Sequence, residues 1–199
     1  TKEYDSNNNL AKATDRAGNS ISYSYNAAGL VSKETRSIDG ASRTYEYNSS
    51  NDLVKLTDYD GKTTVSVYNN SGDLVSTIDK NGNTQSFEYD SKHRVTTTTD
   101  ANGNKTVFTY GNIWASSITD ANGNKTDYYY NGRGQVVSSV NPLGETTRYM
   151  YDAAGRKIGV QYHDGTSETY TYEKSGALKS MKTANDKVYG YTSDGIGNC

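Results

Sequence analysis

A chain of 199 residues with a formal charge of −2 has the length of one domain or two small ones. Its near-neutral balance and singly scattered Lys and Arg give no basis for a nucleic-acid or anionic-membrane partner, and no apolar run approaches the roughly 18 residues of a membrane-spanning helix. Leu, Ile, Val and Phe supply only 28 residues against 19 Tyr, and low net charge with many aromatics argues against disorder, so a strand-rich fold built on tyrosine rings is expected in place of an aliphatic core.

The chain opens on TKEYDSNNNL, with neither an initiator Met nor a signal-peptide pattern. The expectation is a section of a longer protein. From there a Tyr followed by a polar residue recurs at Tyr4, Tyr25, Tyr47, Tyr68, Tyr89, Tyr110, Tyr130, Tyr151 and Tyr172, in steps of 20 to 22 residues, with a weaker last copy at Tyr191. A fixed period of this kind marks a repeat architecture and leaves no room for a linker, so residues 1–199 read as a single array.

Each unit has the same internal order. Four residues after the Tyr stands Gly or a substitute, as in Gly29, Asn51, Gly72 and Gly155. Six after it stands an apolar residue such as Leu10, Val31 or Leu74. Eleven after it stands Asp or Asn in most units, and seven before the next Tyr stands Gly, as in Gly18, Gly82 and Gly144. Two before most of these Tyr is another aromatic, such as Tyr23, Phe87 or Tyr149. Gly beside Asn or Asp twice per unit predicts two tight turns. The runs between them, such as LVSTI and TQSFEY, have strand length and alternate, so that aromatic-x-Tyr puts two rings on one face. The prediction is all-β: an antiparallel meander of about nine 21-residue units of two strands each, with Tyr stacked into cross-strand ladders and the sheet curving.

Several units depart from the pattern. DKNGNTQ begins at Asp79, and DANGNKT occurs at Asp100 and again at Asp120. His93 takes a turn-Gly position, and Trp114 is expected to do so in YGNIWASSI, the one short unit. Pro142, the only proline, lies in the turn NPLGE, and His163 precedes Asp164 in HDGT. Cys199, the single cysteine, ends the chain, which excludes a disulfide within it.

YDAAGR at Tyr151–Arg156, the copies YNAAGL, YNNSGDL and YNGRGQV, and DANGNKT followed by Tyr-x-Tyr together resemble the YD or RHS repeat family over essentially the whole chain. That family includes bacterial RHS and wall-associated polymorphic toxins, the C subunits of insecticidal toxin complexes, and the animal teneurins. The resemblance implies a spiralling β-sheet forming part of a hollow shell. In the toxins such a shell encloses a C-terminal toxic domain; in teneurins it is extracellular and supports adhesion. The family's Pro- and Asp-containing self-cleavage core has no counterpart here. The expectation is a wall segment of a secreted or cell-surface, cell-wall-associated protein. Its partners would be flanking repeats and a C-terminal toxin or cargo domain, with an adhesive, carbohydrate-binding module as the alternative.

Candidate chemistry is sparse. The Asp-x-Asn-Gly-Asn loops share residue types with calcium loops, but their Gly comes at position four rather than six, and position twelve is Asp90, Gly111 and Asn131 in the three copies. Turns explain them better than metal ligation. His93 and His163 are 70 residues apart in different units and read as solvated turn residues. Trp114 reads as local packing around an altered turn, with an exposed sugar- or partner-binding aromatic as the alternative. Asn48, Asn69, Asn104 and Asn124 lie in N-x-[ST] sequons, which matter only in a eukaryotic secretory route. Carboxylates fall at repeat-set turn positions, so no acid–base pair stands out, and no catalytic, cofactor or metal residue is assigned. An enzyme ranks last, behind a structural wall and a glycan- or receptor-binding surface.

Overall fold

The computed structural model describes residues 1–191. Among them are nineteen antiparallel strands and no helix, hence none long and apolar enough to cross a membrane. The chain divides into two compact units, Thr1–Lys105 and Thr106–Cys199.

The first unit holds β1 (Lys2–Tyr4), β2 (Leu10–Thr14), β3 (Ser20–Tyr25), β4 (Val31–Arg36), β5 (Ser42–Tyr47), β6 (Leu53–Thr57), β7 (Thr63–Tyr68), β8 (Leu74–Ile78), β9 (Thr84–Tyr89) and β10 (Val95–Thr99). Each pairs antiparallel with the next. The second unit takes β11 (Lys105–Tyr110) from its second residue onward, then β12 (Ala115–Thr119), β13 (Lys125–Tyr130), β14 (Val136–Val140), β15 (Thr146–Tyr151), β16 (Lys157–Gln161), β17 (Ser167–Tyr172), β18 (Leu178–Lys182) and β19 (Val188–Gly190). It is likewise a meander of sequential neighbours. The repeat is therefore a hairpin, and every odd-numbered strand from β1 to β17 ends on the repeat tyrosine.

Apart from the longer loop 36–41 and the shorter loop 111–114, the turns at the two ends of a hairpin are the same five-residue loop. In the loop starting at Asp152, its N–H donates to the Arg156 carbonyl at 2.9 Å and the Gly155 N–H to the Asp152 carbonyl at 3.0 Å. The loop starting at Asp100 repeats this with Asn104 and Gly103, both at 3.0 Å. The fourth residue sits at positive φ, +84° at Gly155 and +83° at Gly103, where a Cβ is strained. Asn51 and His93 take the same position at +69° and +61°, as expected of polar residues standing in for Gly.

The two hairpin connections nevertheless differ in register. Every pairing that closes over the repeat tyrosine carries a β-bulge: Tyr151 faces Lys157 but Met150 faces Gly159, leaving Ile158 as the extra residue. The pairing of β14 with β15 runs without interruption, Val140 facing Thr146 and Ser138 facing Arg148. A bulge bends its strand and increases local twist, so each repeat carries one bend, always on the same side of its tyrosine.

The sheet has little interior. Among the described residues Val160, 4 % exposed, is the one buried hydrophobic side chain, accompanied by Thr97 and Ser117. From Tyr25 onward the repeat tyrosine and the aromatic two residues before it, where there is one, lie half-buried on one face, while the residue between them points to the open face: in β15, Tyr149 and Tyr151 are half-buried and Met150 is exposed. With so little buried apolar area, cohesion must come from contacts between neighbouring hairpins.

Candidate functional site

The contacts that join one hairpin to the next recur with the period. The phenol of Tyr25 donates to the carbonyl oxygen of Leu10 at 2.8 Å. Tyr47 does so to Val31, Tyr89 to Leu74, Tyr130 to Ala115, Tyr151 to Val136 and Tyr172 to Lys157, all between 2.7 and 2.9 Å. The acceptor is in each case the first residue of the even strand in the preceding repeat. This carbonyl lies beside the bulge, where the ladder is interrupted, so the phenol satisfies it. Phe could supply the ring but not this bond. The recurring contact of these tyrosines is thus a phenol-to-carbonyl bond in place of the ring ladder expected from sequence; burial pushes the phenols of Tyr89, Tyr130 and Tyr151 up.

The first loop residue bonds inward. Asp100 Oδ1 accepts the N–H groups of Asn102 and Asn104 at 2.9 Å, and its Oδ2 accepts the Asn104 side-chain amide at 2.8 Å. Asp79 and Asp120 do the same with Asn83 and Asn124. These bonds, the side-chain amide first, hold all three carboxyls below the usual range. Elsewhere the roles exchange: Asn48 donates to Asp52, Asn131 to Gln135 and Asn141 to Glu145. At Asp90 and Asp152 the fifth residue is Arg, and Arg94 pushes the Asp90 carboxyl down to about 2. Loop positions one and five are therefore a donor–acceptor pair whose members can exchange. Both carboxylate oxygens of the DANGNKT loops serve the turn itself.

The singular residues also join repeats. His93 is 59 % exposed, yet its Nδ1 lies 2.8 Å from Oδ1 of Asp73 in the equivalent loop of the preceding repeat, and His163 Nε2 lies 3.0 Å from Glu145 Oε1. Trp114 does not occupy the turn-Gly position expected of it. The loop 111–114 contains no positive-φ residue, the missing residue falls before the tryptophan, and Trp114 directly precedes β12. Its indole stacks on Tyr130, ring centroids 5.5 Å apart, and lies over Gly134, where a Cβ would come within 2.4 Å of the ring. The packing role expected of it is present. The sequon residues Asn48 and Asn69 open loops, Asn104 and Asn124 close them, and all four donate their side-chain amide within the loop. Cys199 lies outside the described residues.

One cluster was missed from sequence. In the first unit Glu34 faces Arg43 across β4 and β5. Glu34 accepts the phenols of Tyr45 at 2.8 Å and Tyr59 at 2.9 Å. Arg43 donates through Nε and Nη2 to Asp58 Oδ1 at 3.0 and 2.8 Å, holding that carboxyl low. The guanidinium carbons of Arg36 and Arg43 lie 4.1 and 4.7 Å from the Tyr59 ring centroid. Burial first, then Glu34, pushes both phenols up. The available signal was the 22-residue step from Tyr25 to Tyr47, whose extra residue lengthens the loop after β4.

The family model described as RHS Repeat matches residues 4–41, 68–105 and 130–169, more than half of the chain. The chain belongs to the RHS repeat family. Solved structures carry the same fold at low identity. This RHS array matches a crystal structure of TcdB2-TccC3-TEV with a TM-score of 0.71 at 17 % identity, over 96 % of its own length and 12 % of that chain. It matches TcdB2-TccC3 without its hypervariable C-terminal region at 0.61 and 13 %, over 97 % and 13 %. It matches the Tc holotoxin pore of Photorhabdus luminescens, with a mutated TccC3, at 0.58 and 15 %, over 99 % and 14 %. The array thus spans about an eighth of the chains it resembles. No curated protein sequence matches it.

Proposed function

We propose that this RHS array is a non-catalytic wall segment of a secreted or cell-surface protein, forming part of a hollow β-shell that encloses or displays a C-terminal toxin domain. The observation that carries the reading is the repeated junction. A phenol-to-carbonyl bond between hairpins and one bulge per hairpin form a unit that can be added indefinitely. The side chains a catalyst would draw on, such as the loop carboxylates and both histidines, are bonded to neighbouring loops or within their own. The fold shared with the TccC3-containing complexes supports the toxin context. Flanking repeats and the cargo domain would be the partners.

Electron microscopy of the full-length parent protein tests this. A closed particle holding a protease-resistant C-terminal domain is expected. An open, extended rod whose C-terminal domain is digested at the rate of the free domain would overturn the reading.

A further inference from the structure

The five-residue turn fixes a positive φ at position four and leaves position three free: Ala17, Lys92, Arg133 and Leu143 all stand there. In Asp79–Asn83 and both DANGNKT loops that free position is Asn, followed by Gly: Asn81–Gly82, Asn102–Gly103 and Asn122–Gly123. Asn before Gly is the pair most prone to cyclise, because Gly sets no side chain beside the attacking backbone nitrogen. All three Asn side chains are exposed, and among the described residues none of them has a hydrogen-bond partner.

The nucleophile, by contrast, is held. The N–H of Gly82, Gly103 and Gly123 donates to the carbonyl of Asp79, Asp100 and Asp120 at 2.9, 3.0 and 3.0 Å. Asn131–Gly132 is the opposite arrangement, with Asn at position one. Asn131 Oδ1 accepts the N–H groups of Arg133 and Gln135 at 2.9 and 3.1 Å, and its amide donates to Gln135 Oε1 at 3.0 Å. The Trp114 indole covers Gly134 of that loop.

We propose that Asn81, Asn102 and Asn122 are sites of spontaneous deamidation gated by opening of their own loops. In an opened loop hydroxide removes the Gly amide proton and the nitrogen attacks Cγ of the Asn. The Cγ–Nδ2 bond breaks and ammonia leaves. Water then opens the succinimide: attack at Cγ gives aspartate, and attack at the main-chain carbonyl gives isoaspartate. The turn distinguishes these products. Asp60 and Asp164 already stand at position three and accept the N–H of position five at 3.0 and 2.9 Å, so aspartate fits. Isoaspartate adds a methylene to the main chain between Asp100 and Gly103 and breaks the bond that joins them. Each opening that reacts is recorded irreversibly at one end of a hairpin, whatever the array encloses.

The test holds the folded 199-residue chain, and the same chain in urea, at mildly alkaline pH. Peptide mapping by mass spectrometry follows each Asn, and an isoaspartate-specific methyltransferase marks the β-linked product. In urea all four Asn-Gly bonds should convert at similar rates. In the folded chain Asn81, Asn102 and Asn122 should convert at least about tenfold more slowly, because opening breaks more than one hydrogen bond, and Asn131 more slowly still. Asp100→Ala removes the three side-chain bonds of its loop and should speed Asn102 about fivefold, with Asn81 and Asn122 in the same molecule unchanged. Asn104→Ala, which removes the amide bond alone, is the milder variant; urea rates at Asn81 and Asn122 would reveal unfolding in either. Conversion of Asn102 at the urea rate in the folded chain, no conversion of the three there, Asn131 keeping pace with them, or an unchanged Asn102 rate in both folded variants would each overturn the proposal.

Discussion

The phenol of Tyr151 reaches across to the carbonyl of Val136 on the adjoining strand of the preceding hairpin, 2.9 Å away. Val136 starts the strand that follows the bulge after Tyr130, so one bond closes the defect of one hairpin with the tyrosine of the next. A net protein hydrogen bond is worth about 1 kcal/mol, and an abandoned half-buried carbonyl adds to the loss. Tyr151→Phe should therefore destabilise the array by about 1–2 kcal/mol. Tyr129→Phe, on a ring 56 % exposed on the open face, should leave it unchanged. Urea midpoints of the two variants measure the difference.

The exchangeable pair at loop positions one and five makes a double-mutant cycle. Asn48→Asp sets two carboxylates against each other, because Asp52 is the present acceptor at 3.0 Å. Adding Asp52→Asn recreates the Asp–Asn order found at Asp100 and Asn104. The single change should destabilise and the second should restore most of the loss, with a coupling of about 1 kcal/mol. Additive effects in chemical denaturation would refute the pairing.

Gly134 and Gly144 have the same φ of +80°, but only Gly134 lies under the Trp114 ring. Gly144→Ala should cost about 1–2 kcal/mol for the left-handed backbone alone. Gly134→Ala should cost more, because its Cβ would displace the indole. Trp114→Ala should return the excess when combined with it. Thermal melts of the three variants decide whether the tryptophan packs as described.

Stability should fall at both ends of the pH scale. The carboxyls of Asp79, Asp90, Asp100 and Asp120 have folded pKa values below their unfolded 3.8, with Asp90 at about 2. Their contribution is present above 3.8 and is lost as pH falls through the folded values. Several phenols are raised above 10.0, and Glu168 pushes Tyr170 up to about 12. Their contribution is present below 10.0 and is lost as pH rises toward 12. Melting temperature should therefore drop from pH 4 to 2 and again from pH 10 to 12, with Tyr170→Phe weakening the alkaline drop. A profile with no alkaline limb would contradict the buried-phenol assignment.

The period, the all-β class, the placement of the turns and the turn reading of DANGNKT were legible in the amino-acid order, because each rests on a local property. A positive φ selects Gly, Asn or His at loop position four, and an Asx side chain bonds N–H groups two and four residues on, within the loop. Trp114 was misplaced by one position because counting from Tyr110 does not reveal which residue a short loop has lost. Three further features depended on tertiary structure. The bulge is a relation between two strands. The phenol bond joins residues 15 or 16 apart, and the Glu34–Tyr59 bond joins residues 25 apart. Hydrophobic pattern and turn chemistry decide which residues share a face; only the register of paired strands decides which polar atoms meet across it.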